Sequence, residues 1–538
     1  MKIWMITREY AGVAEAGGVK NVSCSLSESL AKLSHEVTVF IPTYGCTDFS
    51  CVQSYSSSWR QPVKVRVASG DELVSFSRGE VGGVVLIFVN HPAFLEKQGV
   101  YTYTDSEQLA NPAHKKGEGH ADRDFLNTLF QKAVVSYAES CSLDECPDIV
   151  HCQDAACAMV STFSRSSKKS RAFFSKTHFV VTIHNAGPGY HHEFKDIACG
   201  KWYTGLADRV LRVGVNGEAV EPFLLAAKTA TLTTVSPQYA HEITTGLTDT
   251  AGLSAAFKRL KVQITGITNG IDFEKYDPAI PAKSLLPFAF CPQKGDLEGK
   301  YSCRDYFLTH FATQKTSGTQ LFPGVIQSGY IDVSSSSGEE FVYLAYHGRV
   351  THQKGVDVML SAASRLIQKD LPVRFIFSGQ GEVSLEDELS RFALRHAGKC
   401  VYMKGYDRSL SRLCIAAADF SLHPSHFEPC CLEDFIAQTF GTLPIAHATG
   451  GLCKIVDDET GWLYFPNTAA ALAEEVESLV KIMSRAGRAI FRSMIVFASR
   501  YVRQTYSWDK VTLQYQSLYE SLAASTRPPL ADVWMQRL

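Results

Sequence analysis

Apolar residues along this chain fall into short runs of strand length, separated by stretches with helical spacing. Lys2 to Thr7 is an apolar run, Gly17-Gly18 follows a loop, and Val19, Val22, Leu26, Leu30 and Leu33 then recur every three or four residues. Glu36 to Pro42 is apolar again. This order predicts strand, glycine turn, helix, strand, a βαβ unit that implies a parallel sheet. Further strands are predicted at Val84 to Val89, Asp148 to His151, His178 to Ile183 and Thr231 to Val235. A second series begins after Asn269, with strands at Phe341 to Tyr346, Val373 to Phe377, Val401-Tyr402, Phe420 to His423, Leu443 to Ala446 and Trp462 to Phe465. Between the first two of these, Val356, Leu360, Ala363 and Ile367 form one helical stripe.

The pattern therefore predicts an α/β chain of two tandem doubly wound, Rossmann-like domains facing a deep cleft. In such sheets ligands sit beyond the carboxyl ends of the strands. The boundary falls within residues 255–275. Residues 1–262 form the first domain, 263–505 the second, and 506–538 a terminal helix (Tyr506 to Leu522) with a tail around Pro528-Pro529. Ser334 to Gly338 reads as a solvated loop.

Composition narrows the function. A length of 538 residues exceeds one ordinary core, and a net charge of −2 argues against nucleic acid as a partner. The N-terminal apolar run is too short for a secretory segment, and no run approaches the roughly 20 residues of a membrane helix. Fifteen cysteines without a CxxC pair point to reduced thiols and a cytoplasmic protein.

Candidate chemistry concentrates in the second series. Glu428 precedes an apolar segment, and a Thr449-Gly450-Gly451 turn follows about twenty residues later. A carboxylate can grip sugar hydroxyls, and a glycine pair lets backbone N–H groups approach phosphate closely. Arg349 and Lys354 follow a strand at the mouth of a helix, a place suited to a diphosphate clamp. His184 ends a first-domain strand. His191 and His192 are adjacent and point apart on an extended chain, and no histidine–carboxylate pattern with metal-ligand spacing is visible.

Taken together, these pieces resemble bacterial glycogen (starch) synthases, retaining glycosyltransferases of GT-B architecture, over nearly the full length. The matching segments are Glu9 with Ala14 to Gly18, HCQD at 151–154, TIHN at 182–185, TVSPQYAHEI at 234–243, NGID at 269–272, HGRVTHQKG at 347–355, HPSHFEPC at 423–430, TGG at 449–451 and Tyr506-Ser507-Trp508. The last looks like the start of the family's final helix, which crosses back to the first domain. The resemblance implies transfer of glucose from ADP-glucose to the non-reducing end of glycogen or another α-1,4-glucan, with no metal and no cofactor. It implies that Arg349 and Lys354 hold the departing diphosphate, that Glu428 contacts the glucosyl ring, and that His184 lies near its 6-hydroxyl and anomeric carbon. Gly17, Gly18, Thr449, Gly450 and Gly451 are expected to offer backbone donors. Glu15, Asp154, Asn185, Asn269 and Cys430 complete the expected substrate contacts. It further implies retention without a stable covalent intermediate, a phosphate oxygen taking the acceptor's proton.

The departures are local. Glu15 stands where the family carries Lys, Lys20 follows the glycines and is positioned to restore the charge, and Cys431 replaces a Gly. They motivate two other readings: a retaining transferase using UDP-glucose with a small-sugar acceptor, and a non-catalytic glucan-binding paralogue.

Overall fold

The computed structural model describes residues 1–313, 320–334 and 340–525. Most of the Ser334 to Gly338 stretch and the Pro528-Pro529 tail lie outside the described residues. The chain divides into two compact units, one of residues 1–269 joined by the chain from Val511 onward, the other of residues 270–510.

The first unit is built on a nine-stranded sheet. Its strands are β1 (Lys2–Ile6), β2 (Glu36–Pro42), β3 (Gln53–Val67), β4 (Gly70–Val81), β5 (Val84–Asn90), β6 (Ile149–Gln153) and β7 (His178–Ile183), followed after a small β8–β9 hairpin (Val215–Asn216, Ala219–Val220) by β10 (Thr231–Thr234) and β11 (Ile264–Gly266). The order is β11-β10-β7-β6-β1-β2-β5-β4-β3. The predicted strands form its parallel part, whose buried residues are continuous rather than alternating because helices cover both faces. The antiparallel β3–β4 hairpin was not expected. Most of β3 is exposed and polar, so it carries no apolar run for a periodicity reading to find.

The second unit has an eight-stranded sheet: β12 (Gln320–Phe322), β13 (Val325–Ile331), β14 (Val342–His347), β15 (Val373–Gly379), β16 (Lys399–Lys404), β17 (Phe420–His423), β18 (Leu443–His447) and β19 (Trp462–Tyr464). The order is β12-β13-β16-β15-β14-β17-β18-β19, with β13 antiparallel to β16. Alternate residues enter two cores. Leu344, Tyr346, Phe375 and Phe377 pack on one face, and Tyr343, Ala345, Ile376 and Val401 on the other. The second sheet and the parallel part of the first are thus covered on both sides, the layer pattern of a doubly wound fold.

Strand order fixes where ligands can sit. In the second unit the winding reverses between β14 and β17, in the first between β1 and β6. Loops leaving these strands open the crevice of a doubly wound sheet. The predicted terminal helix spans Trp508–Ala523, while Tyr506 ends the preceding helix, Arg492–Tyr506. Ile271 pairs with Ser507, and a Cβ on Gly270 would meet the Trp508 ring at 2.8 Å, which is why glycine stands in NGID. All fifteen cysteines are free, and among the described residues no helix is long and apolar enough to cross a membrane.

Candidate active site

The second unit gathers most of the expected residues at its switch point. Two loops leave the reversing strands: 348–355 after β14 and 424–431 after β17. They are stitched together, the His426 N–H donating to the Gln353 carbonyl at 2.9 Å and the Gln353 amide to the Phe427 carbonyl at 3.3 Å. Lys354 Nζ donates to Glu428 Oε2 at 2.7 Å, and Ser425 donates to the same oxygen at 3.1 Å. Both partners are largely buried, their side chains 12% and 7% exposed. Burial opposes the Lys354 charge, but the Glu428 and Glu433 carboxylates outweigh it and hold the pKa well above the ordinary lysine value. Arg349 reaches outward and contacts Gln353 at 3.4 Å.

The glycine turn lies against the same loop. A Cβ on Gly451 would sit 2.3 Å from Cys430 Cα, so only glycine fits. Its N–H donates to the Glu428 carbonyl at 2.7 Å. This corrects the expectation that Gly451 presents its N–H to phosphate: it aligns the Glu428 loop instead. Gly450 adopts a left-handed φ of 45°, and Thr449 precedes it in extended backbone.

Two groups in this region escaped the sequence reading. Lys454, buried, donates to the carbonyls of Cys430 at 2.6 Å, Gly451 at 3.0 Å and Cys431 at 3.2 Å, and pairs with Asp434 at 2.9 Å. It ties the glycine turn to the Glu428 loop. Its signal was a lysine three residues beyond a Gly-Gly. Glu433 was also missed. Although burial disfavours its charge, Lys354 and the start of the helix Glu433–Thr439 hold its pKa below the ordinary range. Cys431 carries a left-handed φ of 63°, which explains why glycine suits this position better.

In the first unit, strand ends β1, β6 and β7 carry the candidate groups. Glu9 is buried, and its Oε2 accepts from Ala16 N at 3.0 Å and from Gly17 N. The Gly17 N–H is therefore taken within the turn, a second correction. Gly18 has open space where a Cβ would stand. Glu15 folds onto the same turn, accepting from Gly12 N at 2.7 Å and from Lys20 Nζ at 2.8 Å. Lys20 thus spends its charge on Glu15 rather than restoring a cation to the turn.

His184 bonds Gln153 Oε1 through Nε2 at 2.7 Å. Burial lowers its pKa to about 3, so the ring is neutral. A neutral ring that donates from Nε2 leaves Nδ1 as an acceptor, suited to a sugar hydroxyl. Asp154 holds a left-handed φ of 65°, and its Oδ1 meets no hydrogen-bond partner among the described residues. Burial pushes this carboxyl up to about 7, against N–H bonds from Ala155 and His184. Strain and an unpaired acceptor together mark a position shaped for something other than stability. Asn185 spends Oδ1 on Gly187 N at 2.8 Å, and Asn269 Oδ1 is buried without a partner among the described residues. His151, by contrast, is structural. Its nitrogens lie 2.7 Å from Tyr519 and 2.6 Å from Thr182, fastening the terminal helix to the sheet.

Residues 2–259 match the family described as "Starch synthase catalytic domain", and residues 331–490 match "Glycosyl transferases group 1". The chain is a glycosyltransferase whose matched segments are similar to those of glycogen and starch synthases. It is 27% identical to a glycogen synthase of Thermodesulfovibrio yellowstonii, with 97% of this chain and 98% of the relative covered. It is 28% identical to a glycogen synthase of an Anaeromyxobacter species, with 97% and 100% covered. Its fold is similar to the catalytic domain of starch synthase IV from Arabidopsis thaliana, solved with ADP and acarbose (TM-score 0.78, 22% identity, 97% and 99% covered). It is less similar to sucrose-phosphate synthase from Thermosynechococcus elongatus (TM-score 0.53, 16% identity, 97% and 100% covered). The chain is an enzyme with two Rossmann-like domains of GT-B type.

Proposed function

We propose that this glycosyltransferase is cytoplasmic and transfers glucose from ADP-glucose to the non-reducing end of an α-1,4-glucan, with retention of configuration. The observation that carries this reading is the buried Lys354–Glu428 pair at the switch point of the second sheet, braced by the glycine turn. In the reaction the anomeric C–O bond to diphosphate breaks, and a bond from that carbon to the acceptor oxygen forms on the same face. The acceptor's proton passes to a phosphate oxygen of the leaving group. Negative charge grows on the diphosphate, and a lysine kept charged in a poorly solvated place stabilises that charge without reorganising. Arg349 adds a second cation at the loop's exposed end. Glu428 orients Lys354 with one oxygen and offers the other to a glucosyl hydroxyl. In the first unit, neutral His184 offers Nδ1 and Asp154 offers Oδ1 as acceptors suited to sugar hydroxyls. Cations on the leaving group and acceptors on the sugar are what such a transfer needs; a protein nucleophile is not.

The test is nucleotide release by the purified chain from ADP-glucose or UDP-glucose, with and without glycogen. Primer-dependent release from ADP-glucose is expected. Release from UDP-glucose alone would overturn the donor, and no release from either would put a non-catalytic glucan-binding role first.

A further inference from the structure

Two solvent-facing histidines and an aspartate meet beside the loops of the second unit. His352 lies in the short turn His352–Lys354, Asp357 in the first turn of the helix Val356–Gln368, and His426 in the loop after β17. One ligand atom from each lies within 4.8 Å of the other two. The imidazoles are nearly parallel, with centroids 4.6 Å apart and planes at 14°. His426 Nε2 is 3.1 Å from Asp357 Oδ1.

We propose that His352, Asp357 and His426 form a binding site for a divalent transition-metal ion of the zinc type. Bonds of about 2.0–2.2 Å from zinc to nitrogen and oxygen set tetrahedral neighbours about 3.3 Å apart. The His426–Asp357 separation already matches that edge, and rotation of the exposed His352 ring out of its stack on His426 brings in the third ligand. Exposure leaves a fourth position for water. The backbone on either side is fixed, with His426 N on the Gln353 carbonyl at 2.9 Å and His352 N on Glu382 at 3.2 Å. The Asn467 amide holds the Pro424 carbonyl at 3.0 Å and approaches His426 Nδ1 at 3.4 Å. Two imidazoles and one carboxylate favour zinc, nickel or copper over magnesium or calcium. The ion would link the turn carrying Lys354 to the loop carrying Glu428. The buried group of His191, Glu193 and Glu221 is unsuited to the same role, because both His191 nitrogens are taken, by Glu221 at 3.1 Å and the Ala186 carbonyl at 2.8 Å. The proposal does not rest on the choice of sugar donor.

The full chain, stripped of metal with a chelator, is titrated with cobalt(II) and followed by visible absorption. One ion per chain is expected, with bands of tetrahedral intensity, no sulfur-to-metal charge transfer, and displacement by zinc. His426→Arg and His352→Gln, both at accessible positions, are each expected to weaken binding by about 10²-fold or more. A sulfur charge-transfer band, or affinity unchanged in both variants, would assign the ion to cysteines such as exposed Cys46 or Cys51 and overturn the proposal. So would the absence of stoichiometric binding.

Discussion

The two units treat the buried ionisable groups of their candidate sites in opposite ways. In the first unit burial wins: His184 is held neutral with a pKa near 3, Asp154 is pushed up to about 7, and the Glu9 carboxyl is raised. In the second, opposite charges win at the central pair: Lys354 is held above its ordinary value and Glu433 below it, although burial still raises the nearby Asp434 carboxyl. The difference lies in pairing. Lys354 has two carboxylates acting on it, whereas among the described residues no cation is bonded to His184 or to Asp154. Neutral groups and lone acceptors suit sugar hydroxyls; a buried, paired cation suits a phosphate whose charge changes during reaction. The Lys–Glu pairs make the same contrast. Glu15–Lys20 and Glu428–Lys354 are equally short, 2.8 and 2.7 Å, but the Glu15 side chain is 40% exposed and the Glu428 side chain only 7%.

Lys354→Ala tests the contrast hardest. Turnover is expected to fall about 10²-fold or more, as removal of one transition-state donor does. The substitution also strands Glu428, and breaking a buried pair costs about 3–5 kcal/mol. The double variant Lys354→Met/Glu428→Gln separates the effects, because it removes both charges. Its thermal stability should recover while turnover stays low. Recovery of both would remove Lys354 from the chemistry.

The neutral histidines of the first unit predict acid sensitivity. His151, His184 and His192 each have a folded pKa near 3, against about 6.5 in the unfolded chain. Between those values the unfolded chain binds more protons, so stability is present above pH 6.5 and is lost as pH falls towards 3. Each ring contributes about 1.4 kcal/mol per pH unit inside that window. Melting temperatures from pH 7 to 4 check this, and His151→Gln should flatten the slope. A slope unchanged by that substitution would show that His151 is charged in the folded protein.

Much of this architecture is legible in the residues. Continuous apolar runs mark strands covered on both faces, so β2, β7 and β17 fall where periodicity puts them. The grouping around the Lys354–Glu428 pair is legible because Arg349, Lys354, Glu428 and the Gly-Gly turn lie in three short motifs next to strand ends. What stayed hidden is what pairing decides. No local pattern says that Lys454 turns back to three carbonyls, that Glu433 joins Lys354, or that the Gly451 N–H goes to Glu428. The exposed hairpin β3–β4 escaped because its outer strand has little apolar signal.

Cys431 offers a smaller, cleaner test of how tightly the buried pair is framed. An L-residue at φ 63° costs about 1–2 kcal/mol relative to glycine, whereas glycine loses about 0.5–1 kcal/mol through the unfolded chain. Cys431→Gly is therefore expected to exceed Cys431→Ala in stability by up to about 1 kcal/mol, measured by denaturant unfolding. Since alanine is ordinarily the more stabilising of the two, the reverse order would mean that the loop relaxes out of the left-handed region.

The smallest effect is expected at the exposed pair. Glu15→Gln keeps an oxygen for the Gly12 N–H and removes the charge that Lys20 now neutralises. Exposed pairs contribute about 0–1 kcal/mol, so folding stability should scarcely move. Lys20 is left as an unpaired cation beside Gly17 and Gly18. If the diphosphate approaches this turn, KM for ADP-glucose should fall by up to about fivefold with kcat unchanged, the equivalent of about 1 kcal/mol. The gain should fade in high salt, because an exposed charge is screened over about a Debye length. A KM that does not change even at low salt would mean that the glycine turn leaves the leaving group to the buried lysine of the second unit.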